Sequence, residues 1–268
     1  MLYALIVILI IGTGLLIYGW LDTNRFDVRR VEIELDRLPK AFDGFTILQV
    51  SDLHNRTYGE DGMAMIRAME GLSFDCIAIT GDLFDRHLPK RRENGYRFAR
   101  DAAMLSPVYF VEGNHERKIG GWDEIKSELT KRGVHVLDNE RIVFLRHDAT
   151  LDLIGIREKA TAEEMQRLIF PNTCTVLLAH HPERLKDYAK IGVDLVLSGH
   201  AHGGQVRLFN QGLFSPDQGI FPRYTSGVYR SEKTKVYVSR GAGNHSFLPP
   251  RVFNRPEIDL ITLKTPSH

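Results

Sequence analysis

The sequence contains only two cysteines in 268 residues and carries almost no net charge. Cys76 and Cys174 both lie in apolar, strand-like runs where a small buried thiol is expected, and two cysteines cannot form the disulfide framework of a small secreted domain. The 35 Lys and Arg residues nearly cancel the 34 Asp and Glu residues. Nucleic-acid-binding domains are usually strongly basic, so we expect no nucleic-acid partner. Internal repeats and low-complexity tracts are also absent from the sequence.

Charge is missing from the first 21 residues, which have the length and composition of a transmembrane anchor. About 20 apolar residues at about 1.5 Å each span the ~30 Å hydrocarbon core of a bilayer. Tyr3 lies near one end of the segment, and Tyr18 and Trp20 lie near the other, as interfacial aromatic residues do. No basic residue precedes the segment and no small-residue cleavage site follows it, so we expect an uncleaved anchor rather than a signal peptide.

Basic residues gather just after the anchor, at Arg25, Arg29, Arg30, Arg37 and Lys40. Because positively charged flanks stay on the cytoplasmic side, we expect a single-pass membrane protein with a cytoplasmic domain; the alternative is an extracytoplasmic domain. The sequence predicts an anchor (residues 1–21), a juxtamembrane segment with an edge strand (22–43) and a domain (44–268) that is long enough to bury one large core.

Strands alternate with helices through the first half of this domain. Three segments have the pattern of buried strands followed by helices, at residues 45–50, 76–79 and 108–111. This alternation is typical of βαβ units in a largely parallel sheet. Shorter strand patterns from residue 134 onward indicate a second, mixed sheet. We therefore predict an α/β fold in which two β-sheets pack together between flanking helices.

Residue types that bind metals follow five of the predicted strands, just beyond the point where each strand ends. They are Asp52, His54, Asp82, Asn114, His115, His180, His200 and His202. In open α/β sheets, ligand sites gather outside the carboxyl ends of the strands, so these side chains are predicted to meet. If strand geometry continues through Gly-His-Ala-His (199–202), His200 and His202 point the same way. The set is too rich for one ion, and its mixture of carboxylate, amide oxygen and imidazole favours Mn²⁺, Fe²⁺ or Zn²⁺ over a thiolate-bound structural zinc.

In order and spacing, these motifs resemble those of the calcineurin-like metallophosphoesterase superfamily. The matching motifs are Asp52-x-His54, Gly81-Asp82, Gly113-Asn114-His115-Glu116, His180-x-Pro182 and Gly199-His200-Ala201-His202. The resemblance covers nearly everything from Phe45 to the C-terminus. Within the superfamily, the chain is most similar to the membrane-associated bacterial branch of YkuE- and YaeI-type phosphodiesterases, through the segments at residues 199–205, 215–219 and 255–258. The family fold of two sheets between helices agrees with the fold predicted above.

The resemblance implies a role for each of these residues. One divalent cation would be held by Asp52, His54 and His202 and a second by Asn114, His180 and His200, with Asp82 bridging the two. A hydroxide shared by the cations would attack phosphorus in line. His115 would protonate the leaving oxygen, and Asp85, three residues after Asp82, would orient His115. The alternative for Asp85 is a surface salt bridge with Arg86.

Together these features predict a membrane-anchored dinuclear phosphoesterase that hydrolyses a phosphodiester or pyrophosphate bond. The apolar segment after the metal motif either packs in the core or forms a lip that accepts a membrane lipid as substrate; it contains Leu208, Phe209, Leu213, Phe214, Phe221 and Tyr224. A phosphomonoesterase or protein phosphatase, and a metal-binding scaffold without catalysis, are the alternatives. We expect His181 to lie outside the ligand set, and His245 in a Gly-rich loop is a further candidate for substrate contact.

Overall fold

The computed structural model describes residues 1–209, 211–215, 218–244 and 250–266. The α-helices in these ranges are α1 (Leu2–Thr23), α2 (Ala64–Glu70), α3 (Arg92–Ala103), α4 (Asn114–Ile119), α5 (Trp122–Lys131), α6 (Ala162–Gln166) and α7 (Leu185–Ile191). Short 3₁₀ helices lie at Lys40–Phe42, Pro89–Arg91 and Pro182–Arg184.

The strands of the first half are β1 (Asp27–Glu34), β2 (Thr46–Val50), β3 (Cys76–Thr80), β4 (Val108–Val111), β5 (Val134–Val136), β6 (Glu140–Arg146), β7 (Ala149–Gly155) and β8 (Cys174–Leu178). Those of the second half are β9 (Leu195–Ser198), β10 (Arg207–Leu208), β11 (Gln211–Gly212), β12 (Phe214–Ser215), β13 (Gly219–Ile220), β14 (Gly227–Ser231), β15 (Thr234–Val238) and β16 (Glu257–Lys264).

Two six-stranded sheets form the body of the molecule. The first has the order β1-β16-β2-β3-β4-β5 and is parallel except between β16 and β2. The second has the order β14-β15-β9-β8-β7-β6 and is parallel in its centre, with antiparallel pairs at its two edges. The predicted α/β fold with two sheets flanked by helices is confirmed.

Apolar burial explains this layered arrangement. Strands β2, β3, β4, β8 and β9 are buried along their whole length, because each is covered on both faces. One hydrophobic core lies between the sheets and includes Ile47 and Tyr109 of the first sheet and Val176 of the second. A second core joins the first sheet to α2, α3 and α5, and a third joins the second sheet to α6 and α7. Helix–sheet–sheet–helix layers result.

Helix α1 differs from the others because its apolar side chains are exposed along most of its length. By length and composition it can cross a membrane. One side of its C-terminal end, however, is buried against the domain, at Gly19, Asp22 and Thr23. Gly19 packs against residues 250–252, the ring centroid of Tyr18 lies 5.1 Å from that of Phe253, and Arg255 binds the Asp22 carboxylate at 2.7 Å. The end of the helix is therefore fixed to the domain through the segment at residues 250–255.

The segment that follows the Gly-His-Ala-His motif contains elements that the sequence pattern does not reveal. Strands β10 and β11 form one small hairpin, and β12 and β13 form another. Each of these strands is only two residues long, which is too short for an alternating pattern to be recognised. Strand β14 then pairs with β15 at the edge of the second sheet.

The two sheets approach each other closely at Gly155, where β7 ends. A Cβ atom built at this position would lie 2.8 Å from Val111 Cγ1 of the opposite sheet and would also overlap Leu137. We predict that Gly155→Ala lowers stability by about 1–3 kcal/mol, because overpacking forces the sheets apart. Thermal unfolding of the full chain in detergent measures the effect. Gly71→Ala is the control, since its nearest neighbouring atom lies 3.7 Å away; equal melting temperatures for the two variants would contradict this packing.

Candidate metal centre

The predicted ligand residues meet at one end of the sandwich, in the loops that follow β2, β3, β4, β8 and β9. All seven are buried, and even the most accessible, Asn114, is only 7% exposed. Both sheets contribute to this end of the molecule. Gln49 Nε2 of the first sheet donates to Ser198 O of the second at 2.9 Å, and His180 Nδ1 contacts Thr80 O at 2.8 Å. The site therefore lies at the junction of the two sheets.

Left-handed backbone conformations are concentrated in these loops. Positive φ angles between 48° and 73° occur at Asp52, His54, Asp82, His200 and His202. Residues other than glycine rarely adopt such angles, and those that do gather at functional sites. Hydrogen bonds between neighbouring loops hold the conformation: Asp52 N donates to Gly81 O and His54 N donates to Asp82 O, each at 3.0 Å.

His200 and His202 do not continue the strand that precedes them, so this part of the prediction is wrong. Strand β9 ends at Ser198 and both histidines have positive φ, which removes the alternation of a strand. The turn sends the two rings to different places. His200 Nδ1 lies 3.2 Å from His180 Nε2, whereas His202 Nε2 lies 3.1 Å from His54 Nε2.

Asp52, His54 and His202 form the first of two clusters. His202 Nε2 lies 3.5 Å from Asp52 Oδ1 as well as 3.1 Å from His54 Nε2. The Asp52 carboxylate also accepts the N–H of His200 at 3.1 Å, which fixes its orientation. Three donor atoms thus converge within one small space.

Asp82, His180 and His200 form the second cluster, with Asn114 beside them. His180 Nε2 is its centre, at 3.2 Å from Asn114 Oδ1 and 3.3 Å from Asp82 Oδ2. Asp82 Oδ2 also lies 3.8 Å from His54 Nε2 of the first cluster. A single carboxylate oxygen is therefore within reach of both clusters. The other oxygen, Asp82 Oδ1, accepts the N–H of His115 at 2.8 Å.

Both clusters fit divalent cations. Metal–ligand bonds of about 2.1 Å at angles of about 90–110° place two ligand atoms about 3.0–3.5 Å apart. The contacts between donor atoms in both clusters fall in this range. Since Thr80 O only accepts hydrogen bonds, His180 Nδ1 carries a proton, which leaves Nε2 as the nitrogen that would bind a cation once its own proton is displaced. Carboxylate, amide and imidazole donors without a thiolate suit Mn²⁺, Fe²⁺ or Zn²⁺.

The electrostatics of the centre favour positive charge. Burial alone lowers the pKa of His180, but the Asp82 carboxylate beside it outweighs burial and raises that pKa to about 10. Burial raises the pKa of Asp82 in the same way, yet the charge of His180 holds it well below its usual value. Burial, together with the charge of His180, lowers the pKa of His200 to about 3. Two buried carboxylates thus demand compensation, which bound cations would supply.

His115 and Asp85 lie at the edge of the first cluster. The ring centroid of His115 is 4.5 Å from that of His54, and its Nδ1 lies 3.5 Å from Asp85 Oδ1 and 3.2 Å from the N–H of Arg86. Burial lowers the pKa of His115, but Asp85 and the Asp82 charge raise it overall. Asp85 is buried, which argues against the alternative of a surface salt bridge with Arg86. The structure brings both residues to the site.

Glu116 belongs to a motif identified in the sequence, but its role as a positioning residue was not predicted. Its buried carboxylate accepts the N–H of Asp82 at 2.9 Å, that of Phe84 at 2.9 Å and that of Gly113 at 2.8 Å. It thereby ties the loop that carries Asp82 to the start of α4. The available signal was a glutamate three residues after a helix N-cap, which is the spacing of a capping box.

Arg251 is a second residue that sequence reasoning missed. Its side chain is fully buried, and its Nη2 lies 2.9 Å from Nδ1 of His202. The same guanidinium donates to Arg240 O at 2.7 Å, and the Arg251 backbone N–H donates to Thr23 Oγ1 at 2.8 Å. One residue therefore touches a candidate ligand and the last turn of α1. No local sequence pattern around Arg251 predicts such a contact.

Other histidines take different positions. His181 borders the second cluster, with its ring centroid 4.3 Å from that of His200, and it pairs with Glu183 at 2.7 Å and with Glu158 at 3.4 Å. It therefore lies beside the predicted ligand set and lines its outer wall. His245 lies outside the described residues, as do Pro216 and Asp217 of one resemblance segment.

Two sheets between helices, with carboxylate, amide and imidazole donors at one edge, are the architecture of a metal-dependent phosphoesterase. A family model described as calcineurin-like phosphoesterase matches residues 45–204. The chain belongs to this family, and it is a metal-dependent phosphoesterase by fold and donor set. The resemblance inferred from the motifs is confirmed.

Several known proteins resemble the chain over most of its length. A zebrafish transmembrane protein with a metallophosphoesterase domain is 31% identical over 96% of this chain, which spans 62% of that relative. The uncharacterized metallophosphoesterase YkuE of Bacillus subtilis is 29% identical, over 92% of this chain and 90% of its own length. Among solved structures, the sulfate thiohydrolase SoxB of Thermus thermophilus shares the fold, with a TM-score of 0.51, 14% identity and coverage of 85% of this chain and 57% of SoxB.

The role of Glu116 can be tested by replacing one acceptor oxygen with an amide. Glu116→Gln turns an NH₂ group toward backbone N–H groups, so we expect a loss of about 1–3 kcal/mol in stability and weaker metal binding, since Asp82 loses its support. Thermal unfolding and metal titration measure the two effects. Glu124→Gln, an exposed change on α5, is the matched control. Metal affinity equal in the two variants would show that Glu116 does not support the centre.

Proposed function

We propose that this protein is a membrane-anchored phosphoesterase with a dinuclear metal centre, which hydrolyses a phosphodiester or pyrophosphate bond. The observation that carries the proposal is the place of Asp82, whose Oδ2 lies 3.8 Å from His54 Nε2 and 3.3 Å from His180 Nε2. One oxygen within reach of both clusters supports two cations that share a ligand. The bond type rests on the resemblance to the phosphodiesterase branch.

The proposed ligand assignment follows the two clusters. One cation would be held by Asp52, His54 and His202, and the other by Asn114, His180 and His200, and Asp82 would contact both. When bound, two Mn²⁺, Fe²⁺ or Zn²⁺ ions offset the charge of the phosphoryl oxygens and activate the attacking water.

His115 is proposed as the general acid that donates a proton to the leaving oxygen. Its ring borders the first cluster but is not needed to complete either ligand set. The contact with Arg86 N and the nearby Asp85 carboxylate fix the Nδ1 edge of the ring. The opposite nitrogen, Nε2, is then the atom from which the proton is transferred. Asp85 is a positioning residue in this scheme.

The membrane environment points to the substrate class. Helix α1 and the relatives named as transmembrane proteins indicate membrane association. The basic residues after α1 support a cytoplasmic domain, with the anchor at 1–21, the juxtamembrane segment at 22–43 and the catalytic domain at 44–268. We propose a lipid-linked phosphate ester as the substrate, because a single residue, Arg251, contacts both the end of α1 and His202 of the candidate metal centre.

A substrate screen with Mn²⁺ separates this proposal from the monoesterase alternative. The screen compares hydrolysis of phosphomonoesters, phosphodiesters, nucleotide-sugar lipids and phosphoproteins, and faster hydrolysis of phosphomonoesters or phosphoproteins than of diesters would favour the alternative.

The dinuclear centre predicts a stoichiometry of two metal ions per chain. Asp82→Asn removes a shared negative charge, so we expect both ions to bind more weakly and activity to be lost. Elemental analysis after metal loading, together with hydrolysis of a chromogenic diester, measures both effects. Asp148→Asn, in an exposed turn, is the control. One ion per fully active chain would rule out the dinuclear mechanism.

The general-acid role predicts a dependence on the leaving group. We expect His115→Ala to keep two metal ions and to lower kcat by about 10²–10⁴ for alkoxide leaving groups, because these must be protonated to depart. With p-nitrophenolate the loss should be much smaller. His135→Ala, at an exposed position of β5, controls for nonspecific effects. A similar loss for both leaving groups would exclude general-acid catalysis, and loss of a metal ion would make His115 a ligand instead.

A further inference from the structure

The two small hairpins after the metal loop turn their apolar side chains outward. Five exposed residues define what we name the hairpin surface: Leu208, Phe209, Phe214, Ile220 and Phe221. Phe209 is 94% exposed, and Phe214 and Ile220 pair directly across β12 and β13 and so share a face. So many large apolar groups on one small segment exceed the scattered single residues of an ordinary surface.

Polar residues occupy the inner face of the same hairpins. Arg207 and Ser215, the strand neighbours of Leu208 and Phe214, are buried. Arg207 Nη1 donates to Gly203 O at 2.6 Å, so this inner polar group is satisfied. A hairpin on a water-soluble surface has the opposite pattern, with apolar residues inside and polar residues outside. The hairpin surface is therefore built for an apolar environment.

Backbone conformation supports the same view. Phe209 and Phe221 have φ of 47° and 54°, in the left-handed region. Bulky residues are outliers there, whereas asparagine or glycine would adopt these angles at lower cost. Turn geometry alone therefore does not explain two exposed phenylalanines at these positions. The two phenylalanines are explained if their side chains enter an apolar medium.

The hairpin surface is continuous with the membrane helix. Arg207 N donates to Val252 O at 3.0 Å, and the next residue, Phe253, contacts Tyr18 of α1 with ring centroids 5.1 Å apart. Tyr18 lies near the end of a helix of 22 residues, which is about 33 Å long at ~1.5 Å per residue and so reaches across a bilayer. Phe253 is itself exposed and also has positive φ. The hairpins therefore begin beside the C-terminal end of α1, which is where a helix that spans a bilayer would leave it.

The hairpins are also joined to the metal loop. Gln205 N, three residues beyond His202, donates to Phe214 O at 2.7 Å. Gly204 packs directly on Gly212, where an added Cβ would lie 2.7 Å from the Gly212 Cα. A surface that contacts the bilayer would thus fix the height and the tilt of the metal centre above it.

We propose that the hairpin surface inserts into the boundary between headgroups and acyl chains, beside α1, in the same bilayer that α1 spans. The catalytic domain then rests on the membrane at two places, and the edge that carries the metal centre faces the lipid headgroups. Amphipathic elements commonly bind membranes at this depth, through buried apolar area. The inference concerns membrane contact and holds whether or not the catalytic proposal is correct.

Depth-dependent quenching tests the insertion. Phe209→Cys and Ile220→Cys are labelled with a nitrobenzoxadiazole fluorophore in the full chain; the native cysteines are buried. In phosphatidylethanolamine and phosphatidylglycerol vesicles with brominated acyl chains, we expect strong quenching at both sites. Met104→Cys and Leu145→Cys are the controls, because these apolar residues are equally exposed but lie outside the hairpins. Quenching at 209 and 220 that is no greater than at the controls would overturn the proposal. The hairpin surface would then be a candidate for binding a second protein instead of the bilayer.

Matched substrates separate insertion from catalysis. Phe209→Asn with Phe221→Asn removes two rings while suiting the left-handed backbone. We expect this variant to hydrolyse soluble bis-p-nitrophenyl phosphate normally but to lose about tenfold in hydrolysis of vesicle-borne phosphatidyl-p-nitrophenol, because apolar contact area is lost. The control variant carries Met104→Ser and Leu145→Ser. Equal vesicle activity in both variants would contradict insertion, whereas no hydrolysis of either diester by the unmodified chain would contradict the proposed function alone.

Discussion

Two buried carboxylates at the junction of the sheets set the main constraint on this structure. Asp52 and Asp82 are almost inaccessible to water, and such charges are tolerated only with compensation. Backbone N–H groups reach them from His200 and His115, and the imidazole of His180 stands between them. The strained loops, the support from Glu116 and the ring of histidines all serve this arrangement. Without a compensating positive charge, the burial of these two carboxylates would be unfavourable.

The centre exists only when the sandwich is complete. Asp52, Asp82 and Asn114 follow strands of the first sheet, whereas His180 and His200 follow strands of the second. Each cluster takes donors from both sheets, so neither half could bind a cation alone. The hydrogen bond from Gln49 to Ser198 O ties the two sheets together beside the site. Packing of the two sheets is thus required to assemble the candidate metal centre.

Much of this arrangement could be predicted because it depends on local sequence. The apolar run predicted at 45–50 forms β2, and the ligand-type residues follow strand ends, where a parallel sheet collects them. The orientation of His200 and His202 could not be predicted, because positive φ at both residues breaks the strand pattern. The two-residue strands of the hairpins carry no periodic signal. Arg251 reaches His202 across 49 positions of sequence, a contact that tertiary packing alone creates.

Arg251 contacts both Thr23 of α1 and His202, so α1 differs from a simple membrane tether. A tether would hold the enzyme near its substrate and could be exchanged for any other apolar helix. Here a hydroxyl from the last turn of α1 accepts the N–H of the residue whose guanidinium lies against a candidate ligand. The last turn of α1 is consequently separated from the candidate metal centre by one residue, Arg251. If α1 spans a bilayer, whose thickness shifts and tilts such helices, a change in thickness would act on the candidate metal centre through Arg251.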